Sequence, residues 1–338
     1  MRRLQTAVFR PYATLAAGIL VLLGATSALQ AQERYSAPRT ADGVPDLQGI
    51  WTSNTITPFE RDPALGNQLR LSRDEAIALE ENVAAYSAAA DAPSDPNRSA
   101  PNKGQIELAD SYNNFWFDDG THIAEYEGEY RSSLITHPTN GRLPDYTESA
   151  RERINAAAQQ RVLRGAYAGP EARPLAERCL LSFSSSGGPP MLPILYNNHY
   201  QIVQSPGYVM ILVEMVHDAR IIRMSDSPLP DAHRRWLGDS LGHWEGDTLV
   251  VETSRINPSQ RFRNASENFK ITERFTRVGD TRINYEFTVS DPETWVSEWS
   301  AQIPFNATDD TMYEYACHEG NYSLPGVLAG ARRDEAEL

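Results

Sequence analysis

One short stretch, residues 313–322 (YEYACHEGNY), places a cysteine, a histidine and a glutamate side by side. These side chains suit a metal site, a thiol nucleophile with its base, or half of a disulfide beside an acid–base pair. If the stretch is a strand, Cys317 and His318 point to opposite faces, because successive side chains alternate. A thiolate and its base must lie within hydrogen-bond reach. The alternation therefore disfavours the nucleophile and leaves His318 and Glu319 as a candidate proton-transfer pair at the strand end.

A second candidate cluster, residues 216–220 (VHDAR), lies between two predicted strands. A histidine titrates near neutral pH and can move a proton, and a neighbouring carboxylate can fix its tautomer. His217 and Asp218 would form such a pair if the turn brings them together, and Arg220 would hold a polar group of a substrate. The structural alternative is a hairpin turn in which Asp218 is a turn former and His217 caps the hairpin.

Residues 242–247 (GHWEGD) place His243 and Glu245 two positions apart, which puts both on one face of a strand. Two ligands do not make a zinc site, and no third ligand stands at a telling spacing. The chain also lacks a nucleophile elbow, a P-loop and the glycine motif of dinucleotide-binding proteins. The sequence therefore predicts neither a metal nor an organic cofactor.

Three predicted strands place a carboxylate on their apolar face. Glu273 shares a face with Phe275, and Glu214 and Glu252 occupy similar positions in their own strands. A buried carboxylate must find a partner or shift its pKa. Either these acids form ion pairs inside the sheet, for example with Arg220, or they line a lumen or cleft and bind substrate.

Runs of β-branched and aromatic residues after residue 200 supply the elements that would position these groups. They predict strands at 208–215, 219–224, 248–255, 270–277, 282–290, 300–305 and 312–317. No helix signal separates these runs, and tight turns join them. We therefore predict a mainly β fold, an antiparallel meander that closes into a barrel or folds into a sandwich.

An N-terminal helical and irregular segment, residues 32–175, precedes this β-domain at 176–338. Ser72 and Glu75 have the spacing of a capping box, which predicts a helix that starts there. A second helix is predicted from Thr147 to Gly165, since glycine is a common C-terminal cap. Residues 46–51 (DLQGIW) could form a strand that enters the barrel.

Residues 1–31 have the pattern of a secretory signal peptide: a basic start, a short apolar run at 15–25 and a small-residue cleavage site. The apolar run is shorter than the roughly 20 residues that a membrane span needs. We therefore expect a periplasmic or secreted protein without a membrane span in the mature chain. In an oxidising compartment the two cysteines, Cys179 and Cys317, are expected to form a disulfide.

The net charge narrows the class of partner. Cleavage would take the formal charge from −14 to −17, because residues 1–31 contain three arginines and no acidic residue. An acidic chain repels phosphate backbones and anionic membrane surfaces, so nucleic acid is a poor partner. A small molecule is the expected ligand or substrate.

Several motifs together resemble a family of exported proteins from Gram-negative bacteria. They include SSLITHPTNGRLPDYT, GGPPMLP, HDARII, GHWEGDTLVVET, ENFKITERFTR and YEYACHEGNY, and the likeness covers residues 42–337. The family pattern also includes the candidate residues His217, Asp218, Arg220, His318 and Glu319. The resemblance implies export and no particular activity. DLQGIW is also similar to the Gly-x-Trp strand of lipocalin-type barrels, which implies a calycin-like barrel.

Two functions of different classes fit these patterns. The first is a periplasmic enzyme without a cofactor, a lyase, isomerase or hydrolase that acts on a small organic molecule. His217 and His318 would move protons, Asp218 and Glu319 would orient them, and Arg220 would bind a polar substrate group. The second is a non-catalytic barrel that binds a small apolar ligand, with the three acids on apolar faces paired off. A surface or assembly role, the third option, would leave no enclosed pocket.

Overall fold

The computed structural model describes residues 35–91, 97, 117–118, 120–182, 188–260 and 262–337. The chain divides into the units Met1–Tyr35 and Ser36–Leu338, and the helices and strands of the described residues belong to the second unit. The predicted signal peptide lies outside the described residues. Along the described part of the chain, no helix is long and apolar enough to cross a membrane.

The structure is mainly β, as predicted. The strands are β1 (Gly49–Thr52), β2 (Arg70–Leu71), β3 (Glu125–Tyr126), β4 (Glu129–Arg131), β5 (Ile135–His137), β6 (His199–Ser205), β7 (Tyr208–Val213), β8 (Ala219–Arg223), β9 (Asp239–Glu245), β10 (Thr248–Ser254), β11 (Lys270–Gly279), β12 (Arg282–Ser290) and β13 (Trp299–Ala307). Strands β1 and β6–β13 close into a nine-strand barrel, because β1 pairs with both β6 and β13. Strand β5 adds to β13 outside the closed ring, and β2–β4 form a small separate sheet.

Most of the predicted strands are confirmed. The runs at 208–215, 219–224, 248–255, 270–277, 282–290 and 300–305 contain β7, β8 and β10–β13, and DLQGIW leads into β1. The strand predicted at 312–317 is wrong, since these residues form no ladder. On the side of β13 away from β12, β1 pairs at residues 306–307 and β5 at residues 300–301, so other strands already occupy this edge. The N-terminal segment also contributes β1 to the barrel and β5 to the same sheet.

Neighbouring strands are antiparallel with one exception, so the barrel is mixed. Strand β8 runs parallel to β9, with Ile222 opposite Ser240. Residues 224–238 make this possible, because they return along the barrel before β9 begins. The other connections between strands fall into two groups, one at each end of the barrel. Tight turns at 206–207, 246–247 and 280–281 form the turn end, and the longer connections 53–198, 214–218, 255–269 and 291–298 form the loop end.

Aromatic and aliphatic side chains fill the interior of the barrel. In β12 the predicted alternation is confirmed, since Tyr285 and Phe287 are at most 1% exposed while the flanking residues are more accessible. The ring of Tyr285 lies 4.8 Å from Phe275 and 4.9 Å from Phe305. Phe305 in turn stacks on Tyr200 at 5.2 Å. This aromatic column gives the strand ends a rigid support.

The described part of the chain has three α-helices outside the barrel: α1 (Arg73–Ala90), α2 (Glu148–Arg164) and α3 (Ser323–Ala336). The capping box at the start of α1 is confirmed, with Ser72 accepting from the Glu75 N–H and Glu75 accepting from the Ser72 N–H. Helix α2 starts after Thr147 and ends at Gly165, as predicted. Helix α3 was not predicted. Its interior carries a proline and two glycines, residues that weaken the helical signal.

The predicted disulfide between Cys179 and Cys317 is confirmed. It joins residues that are 138 positions apart. The bond attaches the segment that follows β13 to the connection between β1 and β6. Because Cys317 is bonded, it cannot serve as a thiol nucleophile. The disulfide is thus what excludes a thiol nucleophile. Strand alternation does not apply, because residues 312–317 do not form a strand.

Candidate functional sites

The connection 214–218, called the strained turn, joins β7 to β8 at the loop end. Val216 and His217 both have positive φ angles, +64° and +46°. A β-branched residue in the left-handed region is an outlier that costs about 1–3 kcal/mol, and such costs concentrate at functional sites. The short helical turn Met215–His217 stands in place of the hairpin turn that the sequence predicts. The turn holds two ionisable side chains in buried surroundings.

The first of these is Glu214, which is 3% exposed. Its carboxylate hydrogen-bonds His199 Nδ1 at 2.8 Å and accepts from the Tyr313 N–H at 3.0 Å. Burial alone would raise the pKa of Glu214, but these hydrogen bonds outweigh it and hold the pKa below its ordinary value. The bond to Glu214 raises the pKa of His199. This is an ion pair that fastens segment 308–317 to the barrel.

His199 was missed by sequence reasoning. It is the first residue of β6, and its neighbour Tyr200 points into the barrel, so His199 faces outward. Asp310 lies 3.9 Å from its second ring nitrogen. A lone histidine at the start of an unpredicted strand carries no sequence signal of such a pairing.

The second ionisable group is Asp218. It is half-buried, and its Oδ2 atom has no hydrogen-bond partner among the described residues. Burial raises the pKa of Asp218 to about 6, against a smaller opposing effect of His217. Its backbone is extended, and Arg220 two residues later points into the barrel. Strand alternation therefore directs the Asp218 carboxyl toward the interior at the loop end.

The histidines of the two sequence clusters are both exposed. His217 hydrogen-bonds the carbonyl oxygen of Tyr315 through Nδ1 at 2.9 Å, so the strained turn and the 313–322 stretch do meet. The side chains of His318 and Glu319 form no hydrogen bond or ion pair with any described residue. A cleft opens against Tyr315 and Cys317, and no histidine is among the described residues that line it.

The remaining candidate acids, Glu273 and Glu252, differ in burial. Glu273 is fully buried and receives hydrogen bonds from Arg220 Nη1, at 2.8 Å, and from Arg220 Nη2 and Tyr285. Burial would lower the pKa of Arg220, but Glu273 more than compensates and raises it. Ser240 and Thr253 accept the other guanidinium protons. The guanidinium of Arg220 thus donates its hydrogen bonds to groups inside the barrel. Of the two alternatives for Glu273, an ion pair inside the sheet is the one that the structure has.

Glu252 does not lie on an interior face, contrary to the expectation. It is exposed, whereas its neighbours Val251 and Thr253 are buried. Val250 is also buried although it lies on the outer face, so the sequence alternation of β10 was ambiguous. On the neighbouring strand β9, His243 and Glu245 do share a face. Both are exposed, and His243 Nε2 lies 3.3 Å from Glu245 Oε1. The described residues contain no group of three potential metal ligands.

A cleft of about 550 Å³, which we call the Arg263 cleft, opens at the loop end between residues 55–59, helix α1 and residues 192–195. Its lining is mainly aliphatic and aromatic and includes Ile56, Phe59, Val83, Leu134, Leu192 and Ile194. Two threonines also line it, and the hydroxyls of both make hydrogen bonds within the protein. Arg263 is the one charged residue among the described lining residues.

Arg263 is exposed and has no direct ion pair with a described residue, and Glu60 acts on its charge only at longer range. Its Cζ atom lies 4.2 Å from the ring centroid of Phe59, a stacked cation–π contact. The guanidinium forms no hydrogen bond or ion pair with any described residue. The nearby Glu60 is engaged elsewhere, 3.6 Å from Arg142 and accepting from the Leu143 N–H. The apolar surroundings lower the pKa of Arg263, yet arginine stays charged in proteins.

The backbone that carries Arg263 is itself strained. Arg263 and Asn264 have φ angles of +47° and +63°, two successive left-handed residues without a glycine. Both of their carbonyl groups are held, since Tyr146 donates to Arg263 at 3.2 Å and Arg153 donates to Asn264 at 3.1 Å. The turn is therefore fixed by its neighbours, and it aims the guanidinium at the cleft.

No protein family, no curated protein and no solved structure matches this chain. Function must accordingly be argued from the sites themselves.

Proposed function

We propose that this protein binds a small apolar carboxylic acid in the Arg263 cleft. The observation behind this proposal is the guanidinium of Arg263, which stacks on Phe59 in an otherwise apolar cleft and forms no hydrogen bond or direct ion pair with any described residue. Apolar pockets of about 300–1,000 Å³ with a few convergent polar groups are typical small-molecule sites. The planar fork of arginine matches a carboxylate in two parallel hydrogen bonds.

The filled interior of the barrel favours a ligand in the Arg263 cleft over a ligand in the barrel lumen. Aromatic side chains fill the interior, and Glu273 is paired with Arg220 there. Glu214 is likewise paired, with His199. The barrel then acts as a rigid frame, and the ligand binds beside its loop end.

Export to the periplasm is part of the proposal. Residues 1–31 have a signal-peptide pattern, and the disulfide between Cys179 and Cys317 suits an oxidising compartment. A binding protein there would carry or sequester an amphipathic acid.

The test compares two probes of equal chain length, laurate and the neutral dodecanol, by isothermal titration calorimetry on the full chain. Laurate is expected to bind, and dodecanol to bind more weakly. Arg263→Gln should weaken laurate binding by about 10- to 100-fold, because a hydrogen bond to a charged group is worth about 1.5–3 kcal/mol. The same change should leave the affinity for dodecanol nearly unaltered.

Arg151→Gln is the matched control, since Arg151 is exposed on α2, outside the cleft lining. It removes one positive charge without touching Phe59. If laurate and dodecanol bind equally well, or if both arginine changes weaken laurate equally, the guanidinium does not recognise a carboxylate and the proposal fails.

Acid–base catalysis at the strained turn is a second candidate function. One observation favours it: the Asp218 carboxyl, with a pKa of about 6, directly follows the strained residues Val216 and His217. Side chains with such pKa values suit general acid–base chemistry near neutral pH. A panel of nitrophenyl esters and of β-elimination substrates should reveal an activity that Asp218→Asn abolishes and that the exposed control Glu319→Gln retains. Turnover that persists in the Asp218 variant would exclude this role.

A further inference from the structure

A second cleft, distinct from the Arg263 cleft, contains a concentration of positive charge. It measures about 890 Å³ and runs between helix α2 and residues 171–178. Its five basic lining residues are Arg153, Arg161, Arg164, Arg173 and Arg178. Glu171 is the one acidic residue among the described lining residues. This "arginine groove" shares no lining residue with the Arg263 cleft.

The charges of the groove differ in how they are compensated. Arg173 is neutralised by Glu177 through two hydrogen bonds of 2.7 and 2.8 Å. Arg153 donates to neutral oxygens, the Asn264 carbonyl and the Thr294 hydroxyl, so its charge stays uncompensated. The side chains of the other three arginines form no hydrogen bond or ion pair with any described residue. Four uncompensated guanidinium groups thus face one acidic side chain.

An ordinary structural role explains only part of this arrangement. Arg161 and Arg164 lie in the last turn of α2, where cations interact favourably with the helix dipole. Arg178 has no such reason, because it projects from the opposite wall and is half-buried without a partner among the described residues. Holding these cations together costs repulsion, which the helix dipole and the one acidic residue, Glu171, offset only in part. The cost is notable in a chain whose net charge is −14.

We infer that the arginine groove binds a ligand that carries two phosphate or sulfate groups. Arginine is the side chain best suited to such oxyanions, because its planar fork donates two parallel hydrogen bonds. Arg161 and Arg164 on one wall and Arg178 on the other can engage separate anionic groups. The alanines at 157 and 158, which lie between the charged residues, leave room for the ligand body. The same chemistry occurs in free phosphorylated molecules and in lipid headgroups.

Inorganic pyrophosphate is the soluble probe, titrated into the full chain at low ionic strength and followed by calorimetry. We expect binding that added salt weakens, because charged contacts in solvent are screened. Arg178→Gln should weaken pyrophosphate binding by about tenfold or more. Arg151→Gln, on the same helix as Arg161 but outside the groove, removes an equal charge and should change the affinity much less.

A second arm measures cosedimentation with phosphatidylcholine vesicles that contain or lack phosphatidate. Pyrophosphate binding that depends on Arg178 identifies a soluble ligand. Binding to phosphatidate vesicles alone, again dependent on Arg178, identifies a lipid headgroup, and both results support the groove. If neither probe binds, or if Arg151→Gln has the same effect as Arg178→Gln, the inference is overturned. Arg178→Gln should leave laurate binding intact, so failure of this inference and failure of the Arg263 cleft can be told apart.

Discussion

Replacing Asp218 by asparagine should change the pH dependence of folding stability in a defined direction. The carboxyl is half-buried with an unpartnered oxygen, and its pKa of about 6 exceeds the ordinary value of 3.8. A carboxyl with a raised pKa holds its proton more tightly in the folded state than in the unfolded state. Its contribution to stability is therefore fully present below pH 4 and is lost as the pH rises through 6.

The size of the effect follows from the shift. A displacement of about two pKa units corresponds to about 3 kcal/mol. This is an upper bound, because solvent reaches part of the carboxyl and screens it. Asparagine cannot ionise, so the free energy of unfolding of Asp218→Asn minus that of wild type should increase by about 1–3 kcal/mol between pH 4 and pH 7.

Urea unfolding, followed by tryptophan fluorescence at several pH values, measures this difference directly. Because the free energy of unfolding of wild type is subtracted from that of the variant at each pH, the contributions of the other titrating groups cancel. Asp42→Asn is the matched control, since Asp42 is exposed and the loss of its charge should change the free energy of unfolding little. A flat difference for Asp218→Asn, or one that decreases as the pH rises, would refute the reasoning. Either outcome would mean that the carboxyl is solvated or paired with a cation.

Two further predictions concern the frame that holds the sites. Glu273→Gln should lower the free energy of unfolding by about 3–5 kcal/mol, because it leaves Arg220 buried without its counter-ion; urea unfolding of this variant would contradict the argument if the loss stayed below about 1 kcal/mol. Cys179→Ser combined with Cys317→Ser should cost about 4–5 kcal/mol, since the disulfide closes a loop of 138 residues. A double variant as stable as wild type would show that the unfolded chain gains no freedom when the bond is lost.

The parts of this fold that were predictable are those set by local patterns. The capping box of Ser72 and Glu75 fixes the start of α1 through hydrogen bonds within four residues. The alternation of β12 follows from burial of one face, and Tyr285 lies where it predicts. The disulfide followed from composition, because only two cysteines exist and the chain has an export pattern.

The parts that were not predictable depend on long-range pairing. Residues 312–317 have the composition of a strand, but β1 occupies the edge to which they could have added. Glu252 has the spacing of an interior residue, yet both neighbours of this exposed side chain are buried. Arg263 gave no signal at all, because its role arises from contact with Phe59, which is 204 positions away in the chain.

The locations of the strained residues argue that the loop end is the functional end of the barrel. Both left-handed pairs, 216–217 and 263–264, lie in connections at that end. Asp218, directly after the first pair, has a carboxyl oxygen without a described partner, and the guanidinium of Arg263 forms no hydrogen bond or direct ion pair with any described residue. The turn end needs only two-residue connections, which offer little room for such groups. Nine closed strands and a filled interior make the frame stiff enough to hold costly backbone conformations in place. Since stability alone would favour relaxed turns and paired charges, their shared position is best explained by ligands that supply the missing partners.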